Sequence, residues 1–131
     1  MANNNYKYSL AHNWVLLKRK VASIGVTDYF LNELGYLIDI NLPRIGDEII
    51  AGISYGVIES IDEISYLIAP VNGEVMKVNT DLANKLKILQ KDPFNDGWFI
   101  KVRLHDLDQL DTLMSEEEYK EYKKGIRKKK K

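Results

Sequence analysis

The order of apolar and polar residues along the chain predicts short strands joined by tight turns. Apolar, partly β-branched runs bounded by Gly, Pro, Asn or Asp predict strands over residues 14–21, 37–42, 49–51, 55–61, 64–68, 74–78 and 98–102. Only Asp62 and Glu63 separate the runs 55–61 and 64–68, which predicts a β-hairpin. Residues 74–78 alternate polar and apolar, as a strand with one buried face does.

Helical segments are expected around these strands. Thr27 or Asp28 can cap a short helix, and Gly35 is suited to its C-terminus. Leucine spacing predicts a helix over 81–89 and helical structure from residue 104 to 113. Ser115, followed by three glutamates, predicts the start of a last helix. The expected fold class is therefore β-rich (α+β), with short flanking helices and a C-terminal helix.

Composition narrows the chemistry that the chain can perform. The 131 residues suit one domain and include no cysteine, which excludes disulfide scaffolds, thiol nucleophiles and cysteine-based zinc sites. The only histidines are His12, expected to be structural, and His105, expected at a surface turn. Asp62 and Glu63 could form half of an acid–base site, but a solvated hairpin tip is favoured. These residues indicate a binding or carrier module rather than an enzyme, with no metal site.

The formal net charge of zero conceals a strong separation of charge along the chain. From Lys120 onward, eight bases and one acid give +7, and the preceding residues sum to −7. Residues 21–76 hold nine acids and one base, Arg44, and contain no lysine. We expect an ordered domain over 1–122 and a basic, disordered, solvated tail over 123–131. A weak, nonspecific contact of the tail with nucleic acid or an anionic surface is the alternative, and a solvated tail is favoured over it. No run approaches the roughly 20 apolar residues that span a bilayer, so a cytoplasmic location and no membrane contact are expected.

Short motifs in a fixed order resemble the glycine cleavage system H protein family, whose members carry a lipoyl group. The resemblance covers nearly the whole chain. It rests on six motifs: I-G-V-T (24–27), L-G (34–35), L-P-x-x-G (42–46), E-S (59–60), A-P-V-N-G-E-V (69–75) and G-W (97–98). Single residues also match, namely Tyr8, His12, Trp14, Asn79, Pro93, Leu113, Ser115 and Tyr119. It implies the barrel-sandwich hybrid fold of lipoyl domains. It also implies a shuttle that exchanges an aminomethyl group between a decarboxylase, an aminomethyltransferase and a dihydrolipoyl dehydrogenase.

Three residues depart from the family pattern around its functional end. Asp62 occupies the position of the lipoyl-lysine, Tyr66 that of an acidic residue, and Asn13 that of a glutamate. Lipoylation forms an amide with an amine, so a carboxylate at position 62 cannot accept the group. Lys77 lies in a predicted strand and should not present a free swinging arm. No cofactor is therefore expected, although the family uses lipoate.

Two further positions match residues that the family's lipoate-attaching enzymes read. These are Glu59 and Gly73, and both have a structural alternative: Glu59 at a hairpin edge, and Gly73 in a turn that needs an unusual backbone angle. The main hypothesis is a non-lipoylated H-protein-like module that binds or regulates a glycine cleavage enzyme or a lipoate-handling enzyme. The alternative is a working lipoyl carrier in which Asp62 is an engineered or compensated change.

Overall fold

Nine strands, three α-helices and two 3₁₀ segments make up the described part of the chain. A computed structural model describes the backbone of residues 5–129 and the side chains of residues 5–126. The strands are β1 (Tyr6–Tyr8), β2 (Asn13–Lys18), β3 (Val21–Val26), β4 (Leu37–Asn41), β5 (Glu48–Ile49), β6 (Ser54–Ser60), β7 (Ile64–Ile68), β8 (Gly73–Val78) and β9 (Ile100–Leu104). The helices are α1 (Asp28–Leu34), α2 (Leu86–Lys91) and α3 (Glu116–Lys129), and the 3₁₀ segments are Thr80–Asn84 and Leu107–Thr112.

The strands form two antiparallel sheets that share one core. The six-stranded sheet has the order β1-β2-β3-β9-β8-β5, and the three-stranded sheet has the order β4-β6-β7. Alternate residues of both sheets point inward and are fully buried, as Ile24, Val75 and Val102 show for the first sheet and Ile58 and Leu67 for the second. The outer faces of the two sheets therefore lie on opposite sides of the molecule.

Several local predictions are confirmed. The hydroxyl of Thr27 accepts a hydrogen bond from the Phe30 N–H at 3.3 Å and caps α1, and Gly35 ends this helix with φ of 88°. Ser115 and Glu118 form a reciprocal capping box at the start of α3, with N–O distances of 2.8 and 3.2 Å. The hairpin between β6 and β7 forms as expected.

Other elements differ from the prediction. The strand expected over 14–21 is two strands, because the chain reverses at Arg19 and Lys20 and continues as β3. The helix expected over 81–89 is divided into a 3₁₀ segment and α2, and β9 begins two residues later than expected. Within residues 5–129 no helix is long and apolar enough to cross a membrane. A cytoplasmic location stays a prediction.

A second cluster of aromatic residues attaches α3 to the edge of the larger sheet. The rings of Tyr8 and Tyr119 stack with centroids 4.6 Å apart, and both side chains are buried together with Trp14. The Trp14 indole N–H donates to the Pro93 carbonyl at 2.9 Å. The backbone groups of Tyr8 and Met114 exchange two hydrogen bonds of 2.8 Å, which fix the chain just before α3. The C-terminal helix is thus part of the folded body.

Candidate functional site

The tip of the β6–β7 hairpin is a tight four-residue turn held by Ser60. The Ser60 N–H donates to the Glu63 carbonyl at 2.8 Å, and its hydroxyl accepts from the N–H groups of Asp62 and Glu63, both at 3.2 Å. Ser60 is buried, whereas the three residues that follow it are exposed. The turn therefore presents Ile61, Asp62 and Glu63 to solvent in a fixed arrangement.

The tip rests against the turn between α1 and β4. The Ile61 N–H donates to the Tyr36 carbonyl at 3.0 Å, and Asp62 Oδ2 lies 3.6 Å from the point where a Cβ on Gly35 would stand. From α2, the Gln90 amide donates to the Gly35 carbonyl at 3.2 Å. Among the described residues, no hydrogen bond or ion pair involves the Asp62 carboxylate. The backbone at position 62 is thus held in place, and the Asp62 carboxylate is exposed and can contact a partner.

Large apolar side chains surround this tip and are exposed to solvent. Each of them is 47–65% exposed, and they come from the start of β4, the tip and β7: Tyr36, Ile38, Ile61, Ile64 and Tyr66. We call these five residues the hairpin-end surface. Concentration of such side chains in one place is typical of a docking surface rather than of a freely solvated loop.

The charges beside the hairpin-end surface are mainly acidic. Glu59 in β6 lies directly opposite Asp39 in β4, so two like charges are cross-strand neighbours, an arrangement that is unfavourable without a counter-charge. Asp62 and Glu63 add two carboxylates at the tip. A partner that carries basic groups is therefore favoured at this end of the molecule.

A cleft of about 440 Å³ adjoins the hairpin-end surface at Tyr36. Its other walls are Leu37 and the segment from the first 3₁₀ turn to α2, including Leu86 and Ile88. Lys85 and Lys87 stand on its rim. The cleft is large enough to take one or two side chains of a partner beside the tip.

Comparison with known proteins identifies the family. A family model described as glycine cleavage H-protein matches residues 6–126. The chain belongs to the glycine cleavage H-protein family. The glycine cleavage system H protein of Carboxydothermus hydrogenoformans is 42% identical over 113 residues, covering 86% of this chain and 87% of that protein. That of Coprothermobacter proteolyticus is 42% identical over 117 residues, covering 88% and 92%.

A solved structure confirms the fold of this H-protein family member. The crystal structure of a glycine cleavage system H protein from Mycobacterium marinum matches with a TM-score of 0.82 and 27% identity, covering 90% of this chain and 95% of that one. The expected barrel-sandwich hybrid is therefore confirmed. H proteins work with the enzymes of the glycine cleavage system and are not themselves catalysts, which agrees with the prediction that the chain is not an enzyme.

Asn13 is a buried structural amide in this H-protein family member. Its Nδ2 donates to the Ile68 carbonyl at 2.6 Å and to the Ser9 hydroxyl at 3.1 Å, and its Oδ1 accepts from the Tyr55 hydroxyl at 2.8 Å. Burial raises the pKa of Tyr55 further above neutrality, so this hydroxyl stays a donor into the alkaline range. A carboxylate could not donate to Ile68, because it offers acceptors alone. The hydrogen bonds around position 13 therefore require an amide, and the glutamate of the family pattern would not fit them.

The two predicted recognition positions lie in different sheets. Glu59 is the penultimate residue of β6, immediately before Ser60, and so lies at the tip end of the hairpin, as expected. Gly73 begins β8, and the expectation that it needs an unusual backbone angle is wrong, since it is not among the glycines with positive φ. It is required for space: a Cβ there would overlap Val102 Cγ1 and lie 2.6 Å from the Arg103 carbonyl oxygen.

Both histidines lie away from the hairpin tip. His12 Nδ1 is 2.8 Å from the Tyr119 hydroxyl, which is 2.7 Å from the Thr27 hydroxyl, so His12 helps to join α3 to the N-cap of α1. His105 is exposed, as expected, and contacts Glu48 at 2.6 Å. Among the side chains of residues 5–126, no group of three or more His, Cys, Asp or Glu could hold a metal ion.

The basic C-terminal residues start within a helix. α3 continues to Lys129, so the boundary expected at residue 123 falls inside it, and Lys130 and Lys131 lie outside the described residues. Glutamates in the first turn and bases in the later turns suit the helix dipole, which favours continuation of the helix. Lys123 Nζ lies 4.7 Å from the centre of the Tyr119 ring, so the side chain packs on the body.

Proposed function

We propose that this chain is a non-lipoylated member of the glycine cleavage H-protein family that acts as a binding or regulatory module. The observation that carries the proposal is the residue at the hairpin tip, where the family resemblance places the lipoyl-lysine. An exposed carboxylate, Asp62, stands there instead. A carboxylate cannot form the amide that joins lipoate to a protein amine.

The distribution of lysines supports this proposal. There is no lysine between Lys20 and Lys77, so a shift of the attachment point by a few residues supplies no amine. Lys77 belongs to β8 in the six-stranded sheet and lies opposite Lys101 of β9, away from the β6–β7 tip. A side chain within a strand lacks the protruding turn that presents position 62.

The hairpin-end surface indicates what the module would bind. It combines exposed Ile and Tyr side chains with the carboxylates of Asp39, Glu59, Asp62 and Glu63. The matching partner surface is an apolar depression with a basic rim. We expect that surface on one of the glycine cleavage enzymes (the decarboxylase, the aminomethyltransferase or the dihydrolipoyl dehydrogenase) or on a lipoate-handling enzyme.

Co-expression with a lipoate ligase tests the absence of lipoylation. Intact-mass measurement should show the unmodified chain, whereas the Asp62→Lys variant should gain one lipoyl group. Glu63→Lys is the matched control, because it places a lysine one residue further along the same turn and should stay unmodified. Lipoylation of the unchanged chain on any lysine would refute the proposal and establish a working carrier. An unmodified Asp62→Lys variant would show that the recognition surface has been lost as well.

A binding assay tests the surface itself. The purified candidate enzymes are immobilised, and binding of the unchanged chain is compared with that of the Ile61→Ser/Tyr66→Ser variant. The expected result is a loss of binding to one enzyme by at least about tenfold, since exposed apolar anchors dominate such contacts. Ile45→Ser is the control, because Ile45 is 70% exposed but follows β4 at the end remote from the tip. An equal loss of binding in Ile45→Ser would mean that any exposed apolar side chain contributes, and not the hairpin-end surface in particular.

A further inference from the structure

The outer face of the six-stranded sheet carries a row of side chains that begins with a tyrosine and ends with two lysines. The strand register places Tyr6, Leu16, Ser23, Lys101 and Lys77 side by side across β1, β2, β3, β9 and β8. Their neighbours along each strand, such as Val15, Ile24 and Ile100, point into the core. This row therefore faces solvent on the side of the molecule opposite the three-stranded sheet.

Two lysines are direct cross-strand neighbours in this row. Lys77 and Lys101 are paired in the β8–β9 register, and no ion pair involves either of them, or Lys18, among the described residues. Like charges placed directly opposite one another are unfavourable in a sheet. We call Lys18, Lys77, Lys101 and Arg103 the basic sheet face; Arg103 already pairs with Glu74 at 3.1 Å. Since these lysines form no ion pair among the described residues, they can take an external anion.

An aromatic cleft of about 190 Å³ lies beside these lysines. Its walls include Tyr6, Phe94 and Trp98, and Lys18 and Lys101 stand at its edge. Lys101 Nζ lies 5.0 Å from the centre of the Trp98 ring, and Trp98 is partly exposed. The cleft has the volume of one apolar side chain, with ammonium groups next to it.

We propose that the basic sheet face binds an acidic peptide segment of a partner protein. One apolar side chain of the segment enters the cleft between Tyr6 and Trp98, and flanking carboxylates pair with Lys77 and Lys101. A nucleic acid strand fits less well, because a long polyanion extends beyond the two lysines and meets the carboxylates of Asp92 and Asp96, whereas a short peptide can place its acids at the lysines alone. This surface is separate from the hairpin tip, so its occupation is independent of the proposed lack of lipoylation.

Titration with a short labelled peptide of aspartate and glutamate around one central leucine tests this site. Fluorescence anisotropy should show binding to the full chain that weakens as salt is added, since exposed charges are screened. The Lys77→Glu/Lys101→Glu variant should bind at least about tenfold more weakly. Lys91→Glu/Lys124→Glu, with the same change of charge on α2 and α3, should bind within about twofold of the unchanged chain. Circular dichroism checks folding, and the milder Lys77→Gln/Lys101→Gln variant should show an intermediate loss.

Three outcomes would overturn the proposal. The first is an absence of peptide binding at low salt. The second is equal weakening in the Lys91→Glu/Lys124→Glu control, which would indicate a response to total charge alone. The third is tighter binding of an oligothymidylate that depends on the same two lysines, which would assign the face to single-stranded nucleic acid. Replacement of the peptide's leucine by serine should weaken binding, because the apolar side chain that enters the cleft is lost.

Discussion

Replacement of Gly73 by alanine separates a structural role from a recognition role at this position. The added Cβ would overlap Val102 Cγ1 and lie 2.6 Å from the Arg103 carbonyl oxygen. The Val102 side chain is fully buried, and Arg103 is held in the β8–β9 ladder, so neither neighbour can move freely. Overpacking of a rigid site costs about 3 kcal/mol of unfolding free energy.

Urea denaturation followed by circular dichroism measures this loss. A decrease of about 3 kcal/mol corresponds to a fall in Tm of about 10 °C for a chain of this size. Gly125→Ala is the control, because Gly125 lies inside α3 with no atom within 4 Å of its added Cβ. That variant should be more stable by about 0.5–1 kcal/mol, since alanine favours the helix.

A double-mutant cycle identifies the cause of the destabilisation. Val102→Ala removes the methyl group that the new Cβ meets, so the double variant should be more stable than the sum of the single changes predicts, by about 1 kcal/mol. A Gly73→Ala protein within about 0.5 kcal/mol of the unchanged chain would refute the packing argument. Gly73 would then have no packing role, and recognition by lipoate-attaching enzymes would be the role left for it.

Three other predictions follow from the aromatic cluster and the sheet face. Tyr119→Phe should lower the free energy of unfolding by about 1–3 kcal/mol in urea denaturation, because it removes the hydrogen bond to the buried Thr27 hydroxyl. Tyr122→Phe should lower it less, because the Tyr122 hydroxyl donates to the carbonyl of the exposed Leu10. Burial raises the pKa of Tyr8 from 10.0 to about 12. Its contribution to stability is therefore complete below about pH 10 and is lost as the pH rises to about 12; a Tyr8→Phe protein with an unchanged alkaline loss would contradict this. Lys77→Glu should raise the stability by about 0.5 kcal/mol at low salt, because it faces Lys101, and a decrease would contradict the repulsion.

Local patterns predicted those elements whose stabilising contacts lie close in sequence. The Thr27 cap, the capping box at Ser115 and the β6–β7 turn each depend on residues within three positions of one another. The reversal at Arg19 and Lys20 was missed, because no Gly or Asn marks it and β3 is stabilised by pairing with the distant β9. The same holds for Gly73, whose constraint comes from Val102 on another strand.

The candidate site was predictable in its chemistry but not in its surroundings. The carboxylate at position 62 and the absence of neighbouring lysines follow directly from the sequence. Ile64 and Tyr66 belong to an apolar run that is typical of a buried strand, yet their face of the three-stranded sheet is uncovered. Likewise, Lys77 and Lys101 become neighbours through the β8–β9 pairing alone.

The like-charged strand pairs add to a separation of charge that is largest between residues 1–119, at −7, and the stretch from Lys120 onward, at +7. The acidic pair, Asp39 and Glu59, lies on the three-stranded sheet, and the basic pair, Lys77 and Lys101, lies on the outer face of the other sheet. A molecule with such separated charge experiences a torque near a charged partner, although its formal net charge is zero. It therefore rotates during diffusion, before any contact forms, and presents opposite sides to basic and acidic partners. Salt then slows encounter with both kinds of partner by weakening this orientation.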